Sequence, residues 1–225
     1  MRYSLLSALS LCCALASNDL QAFDLMALCP SEVKNYLRCS EWVEAEALAN
    51  NPRVYRQGDA LHIQGPAGQD FVIRNASDPA DELQTTRFAY LSYLPDAHAH
   101  LLYVLLHEGN AFALVNANTG VIQGVDGYPV MSPNHSYFAV ASASLDYNPT
   151  VLQIWRINSG DFSLEYSVNP EEWGPGDVVW LDEATLKVPT DGYASYKIAL
   201  PAEVPKHFHL RLMGQQWTLS PELAQ

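Results

Sequence analysis

Between Tyr128 and Val188 the chain alternates apolar and polar residues in three bursts, SPNHSYFAVAS, VLQIWRINSGDFSLEYSV and VVWLDEATLKV, divided by Asn, Asp, Gly and Pro. Successive side chains of an extended strand point to opposite faces, so an alternating run buries one face and wets the other. Short runs of this kind separated by turn residues fold as antiparallel strands joined by tight turns. The pattern sets an architecture, a stack of β-meanders, and carries no reaction chemistry.

The period of two begins near Arg53. Val54–Tyr55, Ala60–Gln64 and Phe71–Arg74 read as strands, broken at Gln57-Gly58-Asp59 and at Gly65-Pro66-Ala67-Gly68. Asn75 to Thr86 is polar, contains Pro79, and reads as a loop. Arg87–Leu94, Leu101–His107, Ala111–Val115 and Val121–Val125 follow as strands. Tyr137–Ser142, Val151–Ile157, Phe162–Val168, Val178–Leu181, Thr185–Val188 and Ser195–Ala199 continue the series, and a hairpin through Gly214 closes it. Trp155 and Trp180 fall at strand positions where core packing is expected.

The turns Asn118-Thr119-Gly120 and Asn158-Ser159-Gly160 lie forty residues apart, each between two strands. That spacing matches the ~40–45 residues of a four-stranded propeller blade. SPNHSYFAVAS followed by VLQIWRINSGD resembles a WD40-type blade, and VVWLDEATLKV resembles the first strands of the next; the resemblance spans roughly residues 87–188. It departs from the family pattern in two places, since Trp155 is followed by Arg156 and no Gly-His pair is present. The resemblance implies a propeller-like fold. Two hundred residues make about four blades, the low end for propellers, so a short propeller, an incomplete one and a twisted antiparallel sheet all remain open.

The N-terminus reads as a secretory signal over residues 1–22. Arg2 gives a positive start, Ser4 to Ala16 is apolar but too brief to span a bilayer, and Leu20-Gln21-Ala22 ends in a small residue. The mature chain is then expected to start at Phe23, with cleavage after Ala16 as the other choice, and to be periplasmic or secreted. Acylation at Cys12 or Cys13 is the alternative; Leu11 stands where that signal wants a small residue. No later apolar run approaches membrane-spanning length, so no membrane insertion is expected after cleavage.

Cys29 and Cys39 remain as an even pair in an oxidising compartment, and a disulfide is the default reading. On one continuous helix they would lie ~15 Å apart, beyond disulfide reach, so the chain has to turn between them. Residues 23–52 read as a disulfide-tied helical segment, distinct from the β domain over 53–225. One short helix is expected from Cys29-Pro30-Ser31-Glu32, and a second from about Ser40 to Asn50-Asn51-Pro52.

The formal net charge is -13. An acidic surface repels nucleic acid and anionic lipid and steers a basic protein toward the molecule. Simple solubility is the plainer reading of the same number.

Candidate chemistry is sparse. His98 and His100 sit two apart, which on a strand would put both imidazoles on one face for a metal; a polar turn with both in solvent is the competing reading. His207 and His209 repeat the spacing. No GxSxG, Walker or dinucleotide motif occurs, no cofactor is implied, and the carboxylate pairs Glu171-Glu172 and Asp182-Glu183 fall in expected turns. The acidic, aromatic loop Asn169 to Asp177, with Glu171, Glu172, Trp173 and Asp177, has the composition of a recognition element. In the competing reading Trp173 folds back on the sheet. Tyr147, in Asp146-Tyr147-Asn148-Pro149, is expected on the same edge because both loops flank the strands between Val151 and Val168.

These readings lead first to a non-enzymatic protein-binding module in the periplasm or medium, its loops contacting a basic protein partner. An inhibitor or immunity-type role is one concrete form. A metal-dependent hydrolase using the His98/His100 region and a structural module of an envelope assembly are the alternatives.

Overall fold

The computed structural model describes residues 23–78, 81–193 and 196–221; the leader expected over residues 1–22 lies outside them. The fold is mostly β and propeller-like: four antiparallel meanders follow one another along the chain, after a small helical segment. The first sheet has three strands, β1 (Val54–Gln57), β2 (Ala60–Gln64) and β3 (Asp70–Arg74). The second has five, β4 (Ala76–Asp78), β5 (Asp81–Leu94), β6 (Ala99–Leu106), β7 (Asn110–Asn116) and β8 (Ile122–Val125). The third has β9 (Val130–Met131), β10 (Tyr137–Ser142), β11 (Val151–Asn158) and β12 (Asp161–Val168). The fourth has β13 (Val179–Trp180), β14 (Thr185–Pro189), β15 (His207–Met213) and β16 (Gln216–Pro221).

Alternation within single strands orders the sheets. On β6, Leu101 and Tyr103 face one core while Leu102 and Val104 face another. On β10, Phe138 and Val140 share the core of Leu101 and Tyr103, whereas Tyr137 and Ala139 turn to a third core with Leu186, Val188 and Leu210 of the fourth sheet. Val54, Leu61, Ile63 and Ile73 of the first sheet pack on Leu102 and Val104. The sheets therefore stack in chain order, first on second on third on fourth, and among the described residues none of the three buried clusters joins the fourth to the first. A two-faced strand has to be apolar on both sides, which is why β6 reads AHLLYVLL and is buried along most of its length. Each large side chain so buried contributes about 1.5–3 kcal/mol.

Trp155 is buried against Phe138, their rings stacked at 6.0 Å. Trp180 donates its indole N–H to the Val130 carbonyl at 2.9 Å and meets Trp217 edge-on. Both expectations for core packing hold.

Three local readings are corrected. A 3-10 turn at Leu25–Leu28 and one α-helix, α1 (Tyr36–Ala49), replace the two expected helices. Asn35, whose side chain accepts the Arg38 N–H at 2.9 Å, caps the helix, and Ser40 is interior, its hydroxyl donating to the Leu37 carbonyl. The stretch read as a loop over Asn75 to Thr86 carries β4 and most of the N-terminal half of β5. Its polar residues extend because β4 pairs with the start of β5, Ala76 opposite Thr86 and Asp78 opposite Asp81, and β6 takes over the pairing from Thr86 on; tertiary pairing overrides weak strand propensity. Ser195–Ala199 is not a strand: its described residues, 196–199, form a turn and irregular chain, with Lys197 at φ 59°.

The Cys29–Cys39 disulfide forms, with the Cα atoms 5.7 Å apart, and ties the end of the 3-10 turn to the first half of α1. Leu25, Cys39 and Val43 enter the core between the second and third sheets, so the helical segment packs into the stack. Phe23 stacks on Tyr128 at 4.8 Å and meets Phe112 edge-on at 5.1 Å. Glu44 of α1 is buried; its carboxylate accepts from the Arg56 guanidinium at 2.9 and 2.5 Å and from the Tyr90 N–H at 2.9 Å.

Candidate functional site

Antiparallel strands send every second connection to the same end of the stack. The β6–β7 turn (107–109), the β10–β11 loop (143–150), the β12–β13 loop (169–178) and the β14–β15 loop (190–206) all lie at one such end. Side-chain and backbone bonds knit them together. The Asn110 N–H donates to the Asn148 side-chain oxygen at 3.1 Å, joining the first connection to the second. Thr150 donates its hydroxyl to the Ser144 carbonyl at 3.0 Å and lies 2.8 Å from the Tyr193 hydroxyl. A threonine has one hydroxyl proton, so Tyr193 is the donor in that second bond, which joins the second connection to the fourth. The third and fourth are bonded through Gly192 N–H to the Gly174 carbonyl and Gly176 N–H to the Pro189 carbonyl, both 2.9 Å.

Two glycines permit these approaches. Gly109 has φ 80°, and a Cβ there would collide with the Asn148 side-chain oxygen. A Cβ on Gly192 would fall 2.5 Å from the Pro175 carbonyl oxygen and 2.6 Å from the Ala143 Cβ. Neither neighbour is the far end of a flexible side chain, so the close packing of the rim depends on the missing Cβ.

The rim is acidic and aromatic. Glu108, Asp146, Glu171, Glu172 and Asp191 are all exposed, and none of them takes part in the ion pairs among the described residues. Tyr147 is 61 % exposed beside them, with Leu145 at 48 %. A cavity of about 150 Å³ opens at the fourth connection. Glu172, Asp191, Tyr193, Ile198, Ala199 and Leu200 line it, together with Thr190, whose hydroxyl donates to the Pro205 carbonyl.

Of the residues singled out from the sequence, Tyr147, Glu171 and Glu172 therefore stand exposed at the same rim, as expected for Tyr147 from its flanking position. Asp177 is half-buried and already has an interaction partner. Trp173 is corrected as a surface contact. It is 8 % exposed, packs on Phe208 at 5.0 Å between ring centroids, and belongs to the core between the third and fourth sheets. A large ring at a loop position gains more from joining the core than from projecting into water. Asp191, Tyr193 and Ile198 went unread because a strand was expected across Ser195–Ala199; the Asp191-Gly192 turn signal, with Pro201 and Pro205 beyond it, marks this connection as a loop.

The histidine pair is also corrected. His98 is exposed in the turn that begins at Pro95, at φ 49°, and its N–H donates to the Pro95 carbonyl. His100 lies within β6 and is buried, 3.3 Å from the Tyr90 hydroxyl and against the Tyr93 ring at 4.9 Å. The premise of one shared strand face fails because β6 starts between the two, at Ala99. Burial pushes His100 down to about 4, holding it neutral near pH 7. The Tyr90 hydroxyl, bonded to Asn51 at 2.6 Å, is pushed up to about 12 by the same burial. Among the described residues no three His, Cys, Asp or Glu side chains gather where they could hold a metal ion. His207 and His209 lie on β15 with ring centroids 6.0 Å apart, and Arg211 donates to His209 at 3.1 Å.

No family model and no curated protein matches the sequence. Among solved structures the chain is similar to the N-terminal domain of Nup159, at 10 % identity and a TM-score of 0.33, over 74 % of this chain and 46 % of that one. The chain thus spans less than half the length of that structure. Among the described residues no helix is long and apolar enough to cross a membrane.

Proposed function

We propose that this protein is an exported, non-enzymatic binding module that receives a basic protein partner on its acidic, aromatic rim. The observation that carries the reading is the convergence of four connections into one surface held by cross-loop hydrogen bonds. A rigid surface loses little conformational freedom on association, and exposed carboxylates with no counter-ion of their own attract a cationic partner. Tyr147 supplies contact area at low entropic cost, in the manner of interface aromatics. The formal net charge of -13 extends the attraction beyond the contact itself. An inhibitor or immunity-type role against a secreted basic enzyme is one concrete form of this function, and the site of action is the periplasm or the medium.

The test is capture from a periplasmic extract on immobilised protein, at roughly 0.1 M and roughly 1 M salt, across which the Debye length falls from about 10 Å to about 3 Å. Three proteins are compared: the native chain, the rim reversal Glu108→Lys/Asp146→Lys/Glu171→Lys, and Glu183→Lys in the β13–β14 turn at the opposite end of the stack. The expected result is a basic protein held by the native chain and by Glu183→Lys at low salt, released at high salt, and lost with the rim reversal. Capture that the rim reversal leaves intact would sink the assignment of the partner to this surface.

A further inference from the structure

The cavity at the β14–β15 connection narrows what the rim takes. At about 150 Å³ it falls below the ~300–1,000 Å³ of sites for drug-sized ligands and cofactors. A cavity of ~150 Å³ holds a body the size of benzene, which is the scale of one side chain. Its walls are unlike in chemistry. Ile198, Ala199 and Leu200 are apolar, Tyr193 is aromatic, Glu172 and Asp191 are the acidic members, and among the described residues no Lys or Arg lines it. Neither acidic residue takes part in an ion pair among the described residues. The Tyr193 hydroxyl is fixed on Thr150, so the ring is oriented before anything binds.

We propose that this cavity receives one arginine side chain of the basic partner, its aliphatic stem against Ile198 and Leu200 and its guanidinium facing Glu172, Asp191 and the Tyr193 ring. The assignment rests on the reading of the rim as a partner-binding surface. An apolar wall with an acidic mouth suits a side chain that is apolar along its stem and charged at its tip. Arginine fits better than lysine because its planar fork meets two carboxylates at once, stacks on an aromatic ring, and is more weakly hydrated. Arginine is also the charged residue most enriched among interface anchors.

The experiment titrates the full exported chain with Nα-acetylarginine amide and with the neutral isostere Nα-acetylcitrulline amide, following the methyl signals of Ile198 and Leu200 by NMR. Saturable shifts with arginine, and binding at least five-fold weaker with citrulline, are expected. Ala199→Trp fills the cavity from an exposed position and is expected to weaken arginine binding at least five-fold while leaving the thermal unfolding midpoint unchanged. Equal binding of the two probes, absence of saturation, or full binding by Ala199→Trp would overturn the assignment. The two readings fail separately. Partner capture that survives Ala199→Trp but is lost with the Glu108/Asp146/Glu171 reversal removes the arginine site and leaves the rim. Capture indifferent to the reversal removes the rim.

Discussion

Replacing Glu44 by Gln keeps the side chain's shape and removes its charge. The Gln oxygen in the Oε1 position can still accept the Tyr90 N–H and one Arg56 N–H, but its NH2 then faces the Arg56 Nε–H that Oε2 accepts, so the change removes the charge together with one guanidinium bond. Arg56 keeps only 19 % of its side-chain surface and Glu44 11 %, so the guanidinium is left largely buried without a counter-charge. Breaking such a pair costs about 3–5 kcal/mol. The lower end applies here, because Arg56 also donates to the Phe88 and Asp59 carbonyls, which continue to satisfy it. In a domain of this size each kcal/mol lowers the unfolding midpoint by about 2–4 °C, so a loss of about 3 kcal/mol means roughly 6–12 °C. Arg56→Met alone leaves the carboxylate buried and is expected to cost a similar amount. The double variant removes both charges and should be more stable than either single one, since an apolar replacement of a buried pair is often neutral. Thermal unfolding followed by circular dichroism measures all four proteins. A midpoint within about 2 °C of the native chain for Glu44→Gln, or a double variant whose loss equals the sum of the single losses, would refute the view that this pair clamps α1 to β1 of the first sheet.

Two further outcomes follow from burial. The folded pKa of His100, about 4, lies below the ordinary histidine value of 6.5, so the unfolded chain binds the extra proton first. Stability contributed by keeping this imidazole neutral is fully present above pH 6.5 and is lost as pH falls toward 4, at ~1.4 kcal/mol per pH unit. Urea unfolding at pH 7 and pH 4.5 should therefore show a pH-dependent loss about 2–3 kcal/mol smaller in His100→Gln than in the native chain; equal losses would mean that His100 is not held neutral by the fold. Trp173→Ala is expected to cost about 3–5 kcal/mol, as emptying a core site does. Partner capture by whatever fraction remains folded should be unaffected, and an unchanged midpoint with lost capture would return Trp173 to the surface.

The alternating strands were legible because the period of two is local, and Ala60–Gln64 and Tyr137–Ser142 appear with the bounds read from sequence. The order of the sheets was less so. Alternation says that Leu101 and Leu102 face opposite ways, and only the neighbours on each side show that both faces are cores. The helix start went astray for a similar reason. Pro30 and Ser40 also carry start signals, and Asn35 caps as well as Ser by residue type; Asn35 is the one used, at the place where the 3-10 turn and the disulfide leave the chain. His98 and His100 misled because β6 begins between them, at Ala99: His98 stays in the turn at φ 49° while His100 enters the buried strand.

The rim was half legible, and the missing half is a matter of topology. Loops rich in Glu, Trp, Pro and Gly can be recognised one at a time, but sequence does not say which of them meet. Antiparallel order supplies that. At one end of the second, third and fourth sheets the connections are two to five residues long, at 95–98, 117–121, 132–136, 159–160, 181–184 and 214–215. At the other end two connections are equally short, three and four residues at 107–109 and 126–129, but three others run to eight, ten and seventeen, at 143–150, 169–178 and 190–206. Closing strands into hairpins needs only the short kind. Ordering a residue costs about 1–2 kcal/mol of backbone entropy, so three long connections at one end, bonded to one another through Asn148, Thr150, Tyr193 and Gly192, are more than linkage requires. That asymmetry, more than any single residue, is the reason we propose this end as the binding surface.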